Sequence, residues 1–191
     1  MAKILAFAGS TRRDSFNRKL IAFAVEKTRE LGADVTLIEL RDFPMPLYDG
    51  DLEQEKGPPE AATRLFGIMK EHDGLLLSCP EYNSSIPPLL KNIIDWVSRP
   101  REGEQSLVAF TGKIAGLLSA SPGNLGGMRG LVDVRSILSN IGVLVVPNQV
   151  SVSSAHEAFD DDGAIRDERM AKRIEGVVSQ LIVTTDKLAL R

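Results

Sequence analysis

The stretch Lys3-Ile-Leu-Ala-Phe-Ala-Gly-Ser-Thr-Arg-Arg-Asp-Ser-Phe-Asn17 passes from an apolar run through a glycine into a polar loop. The run Lys3–Ala8 is short and almost entirely apolar, which indicates a strand buried on both faces of a sheet. After the loop, apolar residues recur at spacings of three, four and seven as far as Leu31, and Gly32 suits a helix C-terminus. This stretch therefore predicts a strand, a loop and a helix in succession.

The same order of elements repeats along the chain. Further strands are predicted at Val35–Leu40, Gly74–Cys79, Lys113–Ser119 and Val143–Val146, with Pro147 as an interruption and Val150–Val152 as a continuation. Further helices are predicted from Pro58 to about His72, from Leu89 to Ser98, from Gly126 to Asn140, and over Met170–Leu181. The proline-rich segment from Arg41 to Pro59 is predicted to be a loop.

Strands that alternate with helices indicate parallel pairing, because a parallel crossover usually contains a helix. The predicted fold is α/β: a flavodoxin-like, doubly wound, five-stranded parallel sheet with helices on both faces, forming one domain over residues 1–191. Ligands of such sheets bind outside the carboxyl ends of the strands. Three loops are therefore expected to converge: Gly9–Ser15, Pro80–Ser85 and Ala120–Gly127.

Composition narrows the classes of partner. The 191 residues carry a net charge of −3, which gives no field to attract nucleic acid or an anionic membrane, so small molecules or copies of the chain are the expected partners. The single cysteine, Cys79, excludes an intrachain disulfide framework and fits a reducing, cytoplasmic setting. The chain contains no run of about 18 apolar residues, so no membrane span is predicted. His72 and His156 lie far apart in the sequence, so no metal site is expected.

The loop Gly9–Ser15 has the features of an anion site. A helix N-terminus offers free N–H groups and a partial positive charge, and Arg12 or Arg13 could pair with two phosphate oxygens. Neither the P-loop spacing nor Gly-x-Gly-x-x-Gly occurs in the chain. The alternative is that Ser15 only caps the helix while both arginines are solvated.

The loop Pro80–Pro88 suits a flat ligand. Prolines at both ends restrict the backbone, so the amides of Glu81, Tyr82 and Asn83 could face a planar heterocycle in a set geometry. The alternative is an ordinary connection in which Tyr82 packs on its neighbours.

Both loops carry long motifs that resemble one known family. Gly9-Ser-Thr-Arg-Arg-Asp-Ser-Phe-Asn17 resembles the phosphate loop Gly-Ser-x-Arg-x-x-Ser-x-Asn of the NADPH-dependent FMN reductase family, which includes chromate and quinone reductases and flavin-dependent azoreductases. Pro80-Glu-Tyr-Asn-Ser-Ser-Ile-Pro-Pro-Leu-Leu-Lys-Asn-Ile-Ile-Asp-Trp-Val-Ser-Arg99 resembles its second signature, with Ser84 where glycine is frequent. The two motifs stand about seventy residues apart, as they do in that family.

The resemblance implies FMN as the cofactor. Ser10, Arg12, Ser15 and Asn17 would hold its phosphate, the Pro80–Asn83 loop would lie along the isoalloxazine, and Ser121–Gly127 would close the far side. The predicted cofactor-binding residues are Ser10, Arg12, Ser15, Phe16, Asn17, Pro80, Glu81, Tyr82, Asn83, Ser84, Ser121, Gly123 and Gly126. Gly123, Gly126 and Gly127 would allow the backbone to approach the ring.

The activity that the resemblance implies is hydride transfer from NADPH or NADH through FMN to a small acceptor, such as a quinone, free flavin, azo compound or oxidised metal anion. No side-chain acid or base is assigned. Arg99, Arg101 and Arg129 are candidates for a 2′-phosphate contact and equally for plain surface charges. The family's habit implies a homodimer or homotetramer with the flavin near the interface. It also implies that the helix carrying Trp96 helps to form the dimer, with Trp96 as a candidate contact residue.

Two other functions are compatible with the same sequence features. One is a flavodoxin-like electron carrier without NAD(P)H activity, although a charge of −3 is mild for a steered redox shuttle. The other is a flavin-free regulatory domain on the same scaffold, since a fold does not determine a function.

Overall fold

A computed structural model describes residues 1–188 and shows five parallel strands in one sheet, in the order β2-β1-β3-β4-β5. The strands are β1 (Lys3–Ala8), β2 (Asp34–Leu37), β3 (Gly74–Ser78), β4 (Ile114–Ala120) and β5 (Leu144–Val152). The chain runs from β1 to the edge strand β2 and then crosses back to β3 on the other side of β1. The predicted doubly wound order is confirmed. Residues 189–191, the end of the predicted domain, lie outside the described residues.

Helices cover both faces of the sheet. They are α1 (Phe16–Glu30), α2 (Gly50–Lys56), α3 (Glu60–Lys70), α4 (Pro88–Val97), α5 (Met128–Asn140), α6 (Ala155–Ala158) and α7 (Glu168–Leu188). Alternate residues of β1 point to opposite faces: Ile4 packs in a core with α1 and α7, whereas Leu5 packs in a core with α3, α4 and α5. Burial on both faces explains why the strands read as continuous apolar runs.

The prediction of a loop over the whole segment from Arg41 to Pro59 was wrong. A short 3₁₀ turn occupies Leu40–Asp42, and α2 follows it. Strand β2 ends at Leu37, before this turn and earlier than predicted. The side chain of Asp49 caps α2 by accepting hydrogen bonds from the N–H groups of Asp51 and Leu52. Gly57 ends the helix with a φ of +70°. The prolines around α2 concealed these caps in the sequence.

The edge strand β5 continues past Pro147, so the predicted continuation at Val150–Val152 is confirmed. The pairing with β4 shifts there: Ala115 lies opposite Val145, and Leu117 lies opposite Gln149. This irregularity accommodates the proline, which has no N–H to donate to the ladder. The α5 side chain of Arg135 donates to the carbonyl of Val146 at 2.9 Å and so satisfies backbone that the bulge leaves unpaired.

Candidate functional site

A cavity of about 190 Å³ opens at the carboxyl edge of the sheet, where the three predicted loops meet. The loop after β1 and the start of α1 contribute Ser10, Arg12, Ser15, Phe16 and Asn17. The loop after β3 contributes Pro80, Glu81 and Tyr82, and the loop after β4 contributes Ser121. The predicted residues Asn83, Ser84, Gly123 and Gly126 belong to the same loops but are not among the residues that line the cavity.

The N-terminus of α1 is open towards this cavity. Ser15 occupies the position before the first helical residue with an extended backbone, yet its side chain makes no capping hydrogen bond within the described chain. The first amides of the helix have no intrahelical partner for geometric reasons. Ser10 and Ser15 are 5% and 3% exposed, so both hydroxyls lie in a protected, polar corner. The capping bond of the alternative is therefore absent among the described residues, whereas Arg12 and Arg13 are exposed, as that alternative expected.

Arg12 extends along the wall of the cavity. Its guanidinium carbon lies 5.8 Å from the centre of the Phe16 ring, and Phe16 in turn stacks on Phe159 with 6.5 Å between the ring centres. Such cation–π packing restricts a long side chain without using its hydrogen-bond donors. The guanidinium therefore remains available to an anion at the end of α1.

Asn17 ties the floor of the cavity together. Its Nδ2 donates to the carbonyl of Ala120 at 2.8 Å, while its Oδ1 accepts from the Ser78 hydroxyl at 2.9 Å and from the Ala120 N–H at 3.0 Å. The side chain is 3% exposed. Asn17 thus connects α1 to the ends of β3 and β4. This role depends on three chain segments that are adjacent only in the folded structure, so it could not be predicted from the sequence.

The loop after β3 is a tight turn with two residues in the left-handed region. Tyr82 and Ser85 exchange backbone hydrogen bonds of 2.9 and 3.0 Å, and the residues between them, Asn83 and Ser84, have φ values of +50° and +69°. A glycine would adopt this conformation without strain, which explains why glycine is frequent at the Ser84 position of the motif. Tyr82 is 51% exposed at the cavity mouth, so about half of its surface remains open to solvent.

The Glu81 side chain points from this loop to the N-terminus of α5. Its carboxylate accepts hydrogen bonds from the Arg129 N–H at 2.9 Å, the Arg129 Nε at 2.7 Å and the Gly130 N–H at 3.3 Å. Burial by itself would raise the pKa of Glu81, but these hydrogen bonds and the Arg129 charge outweigh it and lower the pKa. Glu81 therefore fastens the loop to α5, and the charge of this carboxylate is compensated.

The third loop turns through two glycines. Gly126 and Gly127 have φ values of +61° and +88°, and a Cβ atom on Gly126 would lie 2.8 Å from the Ser153 nitrogen. The close approach at Gly126 is therefore to the backbone after β5. Gly127 packs against the hydroxyl of Ser119 so closely that a Cβ atom would not fit between them. This hydroxyl is buried without a hydrogen-bond partner in the described chain. Within the loop, the Gly123 N–H donates to the Ser121 Oγ at 3.2 Å.

Each of the three arginines considered for a 2′-phosphate contact already interacts with a neighbouring side chain. Arg99 pairs with Glu53 at 2.9 Å, Arg129 pairs with Glu81, and the Arg101 guanidinium lies over the Phe66 ring at 5.2 Å.

Trp96 is fully buried in this chain, where its Nε1 donates to the Pro46 carbonyl. It cannot provide the dimer contact expected from the sequence. Among residues 1–188, no group of three or more His, Cys, Asp and Glu side chains could hold a metal ion, and no helix is long and apolar enough to cross a membrane.

Comparison with known proteins agrees with the fold and with both motifs. Residues 2–157 match the family described as NADPH-dependent FMN reductase. The chain is 35% identical to an NAD(P)H-dependent FMN reductase of Pseudomonas aeruginosa, over 91% of this chain and 89% of that protein. It is 34% identical to a quinone reductase of Pseudomonas putida, over 86% of this chain and 85% of that protein.

Solved structures give the same result. FerB, a flavoenzyme NAD(P)H:(acceptor) oxidoreductase from Paracoccus denitrificans, superimposes with a TM-score of 0.84 at 30% identity, and each chain is covered completely. The flavodoxin-like architecture, the sequence match over residues 2–157 and these relatives are mutually consistent. The chain therefore belongs to the NADPH-dependent FMN reductase family and is a flavin-dependent oxidoreductase.

Proposed function

We propose that this oxidoreductase holds FMN in the cavity at the carboxyl edge of the sheet and passes reducing equivalents from NAD(P)H to a quinone or another small acceptor. The observation that carries the proposal is the open N-terminus of α1, where Ser15 makes no side-chain capping bond within the described chain and where Ser10, Arg12 and Ser15 line the cavity. The family and the quinone reductase relatives support the activity.

The phosphate end of FMN fits this corner chemically. A phosphate dianion accepts several hydrogen bonds, and the helix N-terminus, two buried hydroxyls and a guanidinium are all donors. Ser10, Arg12 and Ser15 would bind the phosphate, and Phe16 would keep Arg12 in place. Asn17 would act by positioning the start of α1 on β3 and β4, since its amide already bonds to both strands.

The ring end of FMN would lie against the loop after β3. Pro80 and Tyr82 line the cavity there, and the hydrogen bonds between Tyr82 and Ser85 hold the backbone rigid around Asn83 and Ser84. Ser121, with Gly123 and Gly126 behind it, would form the opposite wall. When bound, FMN supplies the hydride and electron chemistry of the reaction.

The side chains at the mouth would receive the nicotinamide and then the acceptor. Tyr82 is half-exposed and offers an aromatic face, and Glu81, the one carboxylate among the described residues that line the cavity, is paired with Arg129. These lining residues therefore carry no uncompensated negative charge to repel an anionic dinucleotide. The chain's contribution to catalysis is placement and exclusion of water, and no side-chain acid or base is assigned.

We further propose that the protein works as a homodimer or a pair of dimers. Met128 and Val132 are 46% and 60% exposed and lie four residues apart on one face of α5, and Leu125, 46% exposed, is in the loop just before this helix. This apolar surface adjoins the flavin-side loops through the bond between Glu81 and α5. A second copy of the chain would bury it beside the cavity.

One FMN-binding domain, as predicted for residues 1–191, accounts for all of these features, because the three loops belong to one sheet. A cytoplasmic location suits the proposed use of NAD(P)H and a chain whose one cysteine is buried as a free thiol.

Spectroscopy of the full chain tests the proposed function. The protein loaded with FMN should show flavin absorption, lose it on anaerobic mixing with NADPH or NADH, and regain it on addition of a quinone. A colourless protein that does not take up FMN would contradict the cofactor assignment. Bound flavin that neither NADPH nor NADH reduces would favour the electron-carrier function instead.

A further inference from the structure

Two arginines hold the phosphate loop, Gly9–Ser15, from outside the cavity. Arg41 Nη2 donates to the carbonyl of Thr11 at 2.5 Å, and Arg18 Nη1 donates to the carbonyl of Arg13 at 2.8 Å. Neither arginine is among the residues that line the cavity. Both therefore act on the loop through its backbone and not through contact with a ligand.

Glu39 joins these two arginines. Arg18 donates from Nε and Nη2 to Glu39 Oε1 at 3.1 and 2.6 Å, and Arg41 Nε lies 3.9 Å from Oε2 of the same carboxylate. Glu39 follows β2 at the carboxyl edge of the sheet, next to the strand that leads into the phosphate loop. All three side chains are about one-third exposed, so the cluster is only partly solvated.

These bonds determine the direction of two loop amides. In a planar trans peptide, a carbonyl and the N–H of the next residue point in opposite directions. Because Arg41 binds the Thr11 carbonyl, the Arg12 N–H turns the other way and donates to the Ser10 Oγ at 3.3 Å. Ser10 lines the cavity. The bond from Arg18 to the Arg13 carbonyl orients the peptide between Arg13 and Asp14 in the same manner.

We propose that Glu39 is a positioning residue for phosphate recognition, which holds Arg18 and Arg41 in place so that they orient the peptide planes of the phosphate loop. The inference rests on the proposed function, in which this loop binds the phosphate of FMN. Glu39 itself does not touch the cofactor. Its effect passes through two arginines and two backbone carbonyls to the groups that face the cavity.

The charge of Glu39 predicts an effect of the opposite sign. A carboxylate near an anion site lowers the positive potential there, so removal of its charge alone would tighten the binding of a phosphate dianion. Loss of a positioning role would weaken that binding, because disordered amides must be ordered when the ligand arrives. The direction of the change therefore separates the two roles.

Titration of the full chain with FMN and with riboflavin tests the proposal, since riboflavin lacks the phosphate. In Glu39→Gln, the Kd of FMN should rise by roughly fivefold or more, while the Kd of riboflavin should change by less than about twofold. Glu26→Gln is the matched control. It removes another carboxylate that bonds to an arginine, Arg29, on the exposed side of α1, and should leave both Kd values unchanged.

A second variant, Arg41→Lys, keeps the positive charge but removes the guanidinium that bonds to the Thr11 carbonyl, and it leaves Arg18 paired with Glu39, so it should weaken FMN selectively as well. It decides the question if Glu39→Gln does not fold. If the variants bind FMN as tightly as wild type or more tightly, or lose FMN and riboflavin affinity equally, the positioning role is overturned. The proposed function still stands in that case, provided that the wild-type chain binds FMN. A wild-type chain that binds neither flavin would overturn both.

Discussion

The Asn17 Oδ1 accepts a hydrogen bond from the Ser78 hydroxyl across 2.9 Å, joining the first turn of α1 to the end of β3. These residues are 61 positions apart in the chain, and both are buried. Asn17→Ala would leave the Ser78 hydroxyl and both backbone groups of Ala120 without this partner. Each unsatisfied buried group costs about 1 to 3 kcal/mol.

We therefore expect Asn17→Ala to lower the free energy of unfolding by about 3 to 5 kcal/mol, the lower end of the sum for three such groups. Urea denaturation measures this change. Asn140→Ala, at the exposed last residue of α5, is a suitable control and should change stability by less than about 1 kcal/mol. A loss for Asn17→Ala no larger than for this control would show that water replaces its bonds.

Arg12→Ala should weaken FMN binding by about 1.5 to 3 kcal/mol, which is a factor of about 10 to 150 in Kd, because it removes a charged hydrogen-bond donor from the phosphate corner. Arg13→Ala is the matched control, since Arg13 is the next residue and does not line the cavity. At physiological salt its effect should stay below about threefold. Equal effects of both changes would assign the contribution to general charge and not to a contact.

Gly127→Ala should destabilise the protein more than Gly163→Ala. Both glycines have φ near +85°, so each substitution carries backbone strain of about 1 to 2 kcal/mol. A Cβ on Gly127 would also collide with the Ser119 hydroxyl, whereas the Cβ position at Gly163 has no heavy atom of a described residue within 4 Å beyond its own chain neighbours. Thermal unfolding compares the two variants, and equal losses would contradict the collision.

Glu81 should make stability depend on pH in acid. Its pKa is lowered in the folded protein from an ordinary value of 4.5, so its stabilising effect is full above that value and is lost as pH falls through the folded pKa. Glu81→Gln should lower Tm at neutral pH, and the difference from wild type should shrink below about pH 4. A difference in Tm that is independent of pH would indicate a steric cause.

Cys79 should be unreactive in the native state. Burial, with a smaller contribution from the Asp133 charge, raises the pKa of its thiol to about 12, so almost no thiolate exists near neutral pH. A thiol reagent at about pH 8 should modify the denatured chain rapidly and the folded chain only as fast as it unfolds. Fast modification of the folded protein would show that the end of β3 opens.

Sequence patterns succeeded where the relevant contacts are local or periodic. The apolar runs Lys3–Ala8 and Gly74–Cys79 correctly predicted strands, because a strand buried on both faces is apolar at nearly every position. Helix α2 was missed because its evidence is a cap, Asp49, and a terminal glycine, Gly57, within a segment rich in proline. A search for caps in addition to apolar periodicity would have found it.

By itself, the sequence determined the order of the strands and of the main helices between them, the family, and the three loops of the proposed flavin site, because strand–loop–helix order and local motifs are formed by consecutive residues. Only the tertiary structure determined which contacts individual side chains make. Glu81 bonds to Arg129, Asn17 bonds to Ser78 and Ala120, and Glu39 pairs with two arginines. Apart from the pairing of Glu39 with Arg41, these bonds join residues 21 to 103 positions apart, and their geometry exists only once the sheet has assembled.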